Sequence, residues 1–251
     1  MNSEQNIHAL RVQLLAMSRL SQRALDYSIK GYELRNLDFS RQISASQCAL
    51  EEHHRYVKEL CRNLMNIDRV KASDARFAFA AASISTALHV TYNAAAEVAQ
   101  DSMRLLECSG IHGCAALERM GQLVNRSIRL CIIALFEKDA AHAKAVLRDQ
   151  ECLRLRELTS TALHPHVGRW AGAQGDFERS VIRSLGKVAQ QAHEIADVIL
   201  FWLEGKTHVE ASASDSHNSL ELSAAQHQGA ANLCYMPKRV QSTTTAQSFS
   251  C

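Results

Sequence analysis

Only two prolines, Pro165 and Pro237, occur in the 251 residues, so the first 164 positions contain none. Proline lacks a backbone donor and its ring clashes with the preceding turn, which costs a helix interior about 3 kcal/mol. A chain this poor in proline, and with only ten glycines, can run long helices without interruption. Ala, Leu, Arg, Gln and Glu fill nearly half of the remaining positions. The β-branched and aromatic runs bounded by turn residues that mark strands are missing. The expected fold class is all-α.

Two stretches, 7–107 and 113–206, read as the same three-helix unit written twice, and an internal repeat of this kind decides an architecture. In the first copy, helices are expected over Ser3–Leu34, Asp38–Asn66 and a long third element that includes Ser73–Gln100, with Ser73 as its N-cap. Leu10, Leu14, Met17, Leu25, Ile29 and Tyr32 recur at spacings that keep one stripe of the first helix inward. On the second helix the inward row is Ile43, Gln47, Leu50, His54, Val57, Cys61 and Leu64, in alternating steps of 4 and 3, with Gln47 and His54 as polar intruders. The second copy repeats the plan with helices over Cys114–Phe136, Ala140–Leu163 and Asp176–Leu203. The closing row of its last helix is Val181, Leu185, Val188, Ala192, Ile195, Ile199 and Trp202. Gly205 is placed to stop that helix, Pro165 falls in the loop His164–Gly175, and the glycines of Ser109–Gly113 mark the link between copies.

Beyond Lys206 the composition turns to Ser, Thr, Gln, Ala and His, and apolar periodicity disappears. Such a segment buries too little apolar surface to offset the ordering entropy of roughly 1–2 kcal/mol per residue, so 207–251 is expected to be a disordered tail. The formal charge of +2, from 28 basic and 26 acidic residues, leaves no electrostatic footprint for nucleic acid. The opening MNSEQNIHAL has neither a basic n-region nor a long apolar run, and no apolar stretch reaches the 18 residues a membrane span needs. A cytoplasmic protein without membrane insertion is expected.

Candidate chemistry is sparse. The eight cysteines contain no CxxC pair and mostly fall within helices, where they read as small buried apolar groups. His53 and His54 are adjacent, so on a helix they point about 100° apart and cannot converge on one ligand. His89 with Asn93, and His193 with Asp197, stand at i and i+4; each pair could contribute to a metal site but supplies too few ligands, and His193 with Asp197 could equally form a surface pair. Glu97 lies two turns from His89, about 12 Å along the axis, too far to share its ion. Cys108, His112 and Cys114 gather at the glycine-containing link without a fourth ligand. No glycine-rich phosphate loop follows a strand, and no Ser or Cys is paired with a base. The residues assign no catalytic, cofactor-binding or metal site, and the chain reads as a non-enzymatic protein that acts through its surfaces.

The order of several segments resembles the PhoU family of phosphate-signalling proteins over about residues 7–206. Leu10–Leu34 is similar to that family's opening helix, and Arg35-Asn36-Leu37-Asp38 to its first hairpin turn. Ala72–Gln100 follows its third helix without a gap. Phe136-Glu137-Lys138-Asp139 looks like the second hairpin turn, and Ile195–Lys206 like the family's ending. The resemblance implies two tandem three-helix bundles and a cytoplasmic adaptor, often dimeric. Such an adaptor docks onto the ATPase subunit of a phosphate ABC transporter and a sensor histidine kinase, and represses the phosphate-starvation response when phosphate is ample. Alternatives are a diverged scaffold with other partners and a metal-binding bundle. The family's third helices carry Glu and Asp at i and i+4, a further polar residue near i+7, and often an acid on the middle helix, which together hold iron or zinc clusters. The matching positions here are His89, Asn93 and Ala96 in the first copy, Gly186, Gln190 and His193 in the second, and Gln47 and Gln150 on the middle helices. All four paired acids are absent, so no metal or other cofactor is expected.

Overall fold

The computed structural model describes residues 3–106, 115–151, 154 and 173–205, and its regular elements among these are all helical. They are α1 (Ser3–Leu34), α2 (Asp38–Met65), α3 (Ala72–Leu106), α4 (Ala115–Glu137), α5 (Ala140–Leu147) and α6 (Ala173–Glu204). The link 109–113, nearly all of the loop 164–175 and the tail 207–251 lie outside the described residues.

Each inward row is buried largely as its spacing predicts. Leu10, Leu14, Met17 and Leu25 of α1 are fully inaccessible, and Ile29 and Tyr32 nearly so. Each such side chain contributes about 1.5–3 kcal/mol relative to an exposed position. On α2 the row holds for Ile43, Leu50, Val57, Cys61 and Leu64, but Gln47 is exposed and spends its amide on Glu51, 3.1 Å away on the next turn. On α6, Val181, Leu185, Val188, Ala192, Ile195 and Ile199 are buried and Trp202 is half-buried.

Cross-helix contacts fix the directions. Ser3 with Asp74, and Ser21 with the Leu88 carbonyl, set α1 parallel to α3. His54 with Ser85, and Cys61 with the Ala78 carbonyl, lay α2 antiparallel against α3. The two copies share one core. α1 runs antiparallel to α4, where Asn125 donates to Asp26 and Gly121 lies against Ile29. α3 runs antiparallel to α6 through Phe77 with Trp202, Phe79 with Phe201, and Glu97 with Ser184 and Lys187. This α3–α6 contact is the most extensive in the bundle. α2 covers one flank on α1 and α3, and α5 covers the other on α4 and α6.

The first hairpin turn of each copy is built on one plan, although α2 starts one residue later in it, after Leu37, than α5 does after Asp139. Arg35 and Lys138 occupy the left-handed region, at φ 50° and 56°. The following N–H reaches five residues back, Asn36 to Gly31 O at 3.2 Å and Asp139 to Ala134 O at 3.1 Å, the longer bond of a Schellman ending. The same Asn36 and Asp139 then accept, through Oδ1, the N–H two residues on, from Asp38 at 2.9 Å and Ala141 at 2.8 Å. One residue thus closes one helix and opens the next. Gly205 ends α6 at φ 72°, its N–H bonded to Phe201 O at 3.0 Å, in the role the sequence gives it.

Two expected boundaries are corrected. Ser73 is not the N-cap of α3: the helix already includes Ala72, the Lys71 carbonyl takes the N–H groups of Asp74 and Ala75, and the Ser73 hydroxyl turns to Asp74. The middle helix of the second copy is not continuous from Ala140 to Leu163. α5 stops at Leu147, Arg148 caps it, and Asp149 Oδ1 accepts the Glu151 N–H at 3.0 Å as helix resumes at Gln150. The local Asx bond of Asp149 competes with helix continuation, a preference that apolar periodicity does not register.

Candidate functional site

The polar positions of the two long helices fall into separate surroundings. On α3, His89 stacks face to face on His54 of α2, ring centroids 4.8 Å apart and planes within 10°. His54 Nδ1 is 2.7 Å from Ser85 Oγ, and the Ser85 hydroxyl points on to Met17 Sδ of α1 at 3.3 Å. With that hydroxyl proton spent on sulfur, Ser85 Oγ accepts from His54 Nδ1–H. Burial, reinforced by the Lys58 ammonium and by His89, pushes the His54 pKa down to about 4, so the ring is neutral at pH 7. Asn93 lies on the next turn, its Nδ2 3.5 Å from His89 Nδ1. Adjacent His53 points elsewhere, donating from Nδ1 to Gln13 Oε1 of α1 at 2.6 Å. The two neighbouring histidines therefore serve different helices, as their 100° separation requires.

One turn beyond Asn93, Glu97 leaves this group and crosses to α6. It accepts from Ser184 Oγ at 2.8 Å and from Lys187 Nζ at 2.8 and 3.1 Å. Partial burial pushes its pKa up, but the bonds from Lys187 and Ser184 and the charges of Lys187 and Arg183 outweigh that and hold it below the usual carboxylate range. Above the stack, Tyr92 is fully buried and bonds the Ile43 carbonyl and Ser46 of α2.

In the second copy the matching positions are dispersed. Gly186 is buried, Gln190 is exposed and donates to Glu194 Oε1 at 3.0 Å, and Gln150 is exposed at the restart after α5. His193 is buried, with Nδ1–H donating to the Ala189 carbonyl at 3.1 Å. Cys108, His112 and Cys114 lie outside the described residues. Among the described residues no three of His, Cys, Asp and Glu gather to hold an ion.

The side chains at these positions do not fit a multinuclear oxygen-rich cluster. Such a cluster needs several carboxylates to balance the cations, and the donors here are neutral imidazoles and amides. Nor do His54 and His89 make a two-histidine site, because the lone pairs of parallel stacked rings do not meet at one point.

The sequence singles out His54 and His89 separately and does not pair them. The signal for Glu97 with Lys187 is likewise missing, because it depends on the antiparallel register of helices from different copies.

Among the described residues, helix order, hairpin turns and packing define an all-helical fold, and that fold is PhoU-like. Two solved structures superpose on it over 82% of the chain. One is PhoU from Pseudomonas aeruginosa, matched over its whole length with a TM-score of 0.72 and 19% identity. The other is the phosphate transport system regulatory protein PhoU from Streptococcus pneumoniae, matched over 99% of its length with a TM-score of 0.71 and 15% identity. No protein-family model matches the chain, and no curated protein does.

Proposed function

We propose that this chain is a diverged regulator of phosphate uptake that acts by contact and without catalysis. What supports the reading is the full-length superposition of two PhoU structures on the bundle. Its partners in this reading are the ATPase subunit of a phosphate ABC transporter and the sensor histidine kinase that works with it. The adaptor binds the kinase state that leaves its response regulator unphosphorylated and shifts the population toward that state. Docking relies on helix surfaces rather than on bound ions, since the face that would hold a cluster carries no compensating charge. No helix among the described residues is long and apolar enough to cross a membrane, which accords with a cytoplasmic adaptor, and a homodimer is the expected form.

Deletion of the gene tests the regulatory claim. Phosphate-scavenging genes should be derepressed in ample phosphate; unchanged expression would refute it. Copurification separates partners: recovery of the transporter ATPase or the kinase supports the adaptor, and recovery of unrelated proteins alone favours a scaffold that has exchanged partners.

A further inference from the structure

Between α1, α3 and the end of α4 lies a small cavity of about 30 Å³, lined by Arg11, Leu14, Phe77, Leu135, Phe136 and Lys138. Its floor is apolar: Leu14, Phe77 and Leu135 are buried core residues. Its two polar walls are both cationic and come from different copies of the repeat, Arg11 from α1 and Lys138 from the turn after α4. The Arg11 head and the Lys138 backbone are each fixed by their surroundings. The Arg11 guanidinium carbon sits 5.5 Å above the centre of the Phe77 ring, and Phe77 is braced by Trp202 at 4.9 Å. Lys138 is held in the left-handed conformation by the Schellman ending that closes α4.

Neither cation has a carboxylate partner among the described residues, although ion pairs form elsewhere on the same surface, Lys144 with Glu204 and Lys187 with Glu97. Glu137, next to Lys138 in sequence, pairs with neither. Both side chains reach solvent, so an ion can approach them directly, and their mutual repulsion is screened but not neutralised. A monoanionic or dianionic guest removes that repulsion. The volume holds roughly two water-sized oxygens, which suits the edge of a tetrahedral oxyanion whose remaining oxygens face the solvent. Arg presents a planar fork of donors to such an edge, and Lys adds a point charge.

We propose that Arg11 and Lys138 form a binding site for a free inorganic oxyanion of the phosphate class, bridging the two copies of the repeat. The inference does not rest on the regulatory reading, because its test measures ligand binding by the chain alone. Titrating the full chain with inorganic phosphate at constant ionic strength, with chloride as the compensating anion, should give saturable binding by calorimetry. Arg11→Gln and Lys138→Gly should each weaken it at least fivefold, and the double variant should abolish it. Glycine is chosen at 138 because it accepts the positive φ, so the turn survives while the charge is lost. Melting curves without phosphate confirm that the variants fold. Phosphate binding no stronger than that of chloride, or equal binding by chain and double variant, overturns the proposal.

Discussion

Lowering the pH should destabilise the bundle through His54. The folded chain holds this ring neutral, with a pKa of about 4 against 6.5 for an unperturbed histidine. Between these values the unfolded state binds more protons than the folded one, so stability rises with pH across that interval. The contribution is fully present above pH 6.5, falls away as the pH drops toward 4, and is constant below. At pH 5 the two values correspond to a loss of about 2 kcal/mol by linkage. The ring is only partly buried, and solvent screening at such a site reduces the figure to about 1 kcal/mol. For a folded unit of this size that is a fall of about 2–4 °C in melting temperature between pH 7 and pH 5. The assay compares thermal melts of the chain and of His54→Gln at both pH values. The variant loses the stack on His89 and starts from a lower stability, but its fall with pH should be shallower by the same 2–4 °C. Equal pH slopes would refute the reasoning, as would an NMR titration of the His54 ring with a midpoint at or above 6.5.

Other perturbations have definite signs. A Cβ added at Gly121 would lie 2.7 Å from Ile29 Cγ1, so Gly121→Ala should lose about 1–2 kcal/mol in urea unfolding despite alanine's better helix propensity; a gain would show that α1 and α4 separate freely. Tyr92→Phe removes the hydroxyl that bonds the Ile43 carbonyl and Ser46 and should cost about 1 kcal/mol, with an unchanged midpoint contradicting that role. Phe79 is 59% exposed and meets Phe201 edge-on at 5.8 Å, so Phe79→Ser should change stability by less than about 1 kcal/mol; a larger loss would mean that the side chain is covered in solution.

The helices were legible because their determinants are local. Rows such as Leu10, Leu14, Met17 and Leu25 announce a buried stripe, and Asn36 and Asp139 announce turns through side chains that bond two residues ahead. Where two local signals conflicted, the stronger pattern misled: the apolar spacing of 140–163 runs through Asp149, yet the Asp149 bond to Glu151 interrupts the helix after Leu147. The polar positions were legible one helix at a time. His54, His89, Glu97 and Lys187 are all evident as polar residues on long helices. Which of them meet depends on helix register across the bundle, and a single sequence does not carry that register. Stacking of His54 on His89 needs α2 antiparallel to α3, and the Glu97 pair needs α3 antiparallel to α6.

The α3–α6 contact also limits how such a protein could transmit a signal. A repeat joined to its twin by a linker alone would be free to swing, and each half could report a different state. Here the longest helix of each copy is the other's principal packing surface, with aromatic contacts at one end and the Glu97–Lys187 pair toward the other. Separating the halves would open the core itself, so the described helices of the two copies should move together. A partner that docked on one half, as proposed, would therefore act on both.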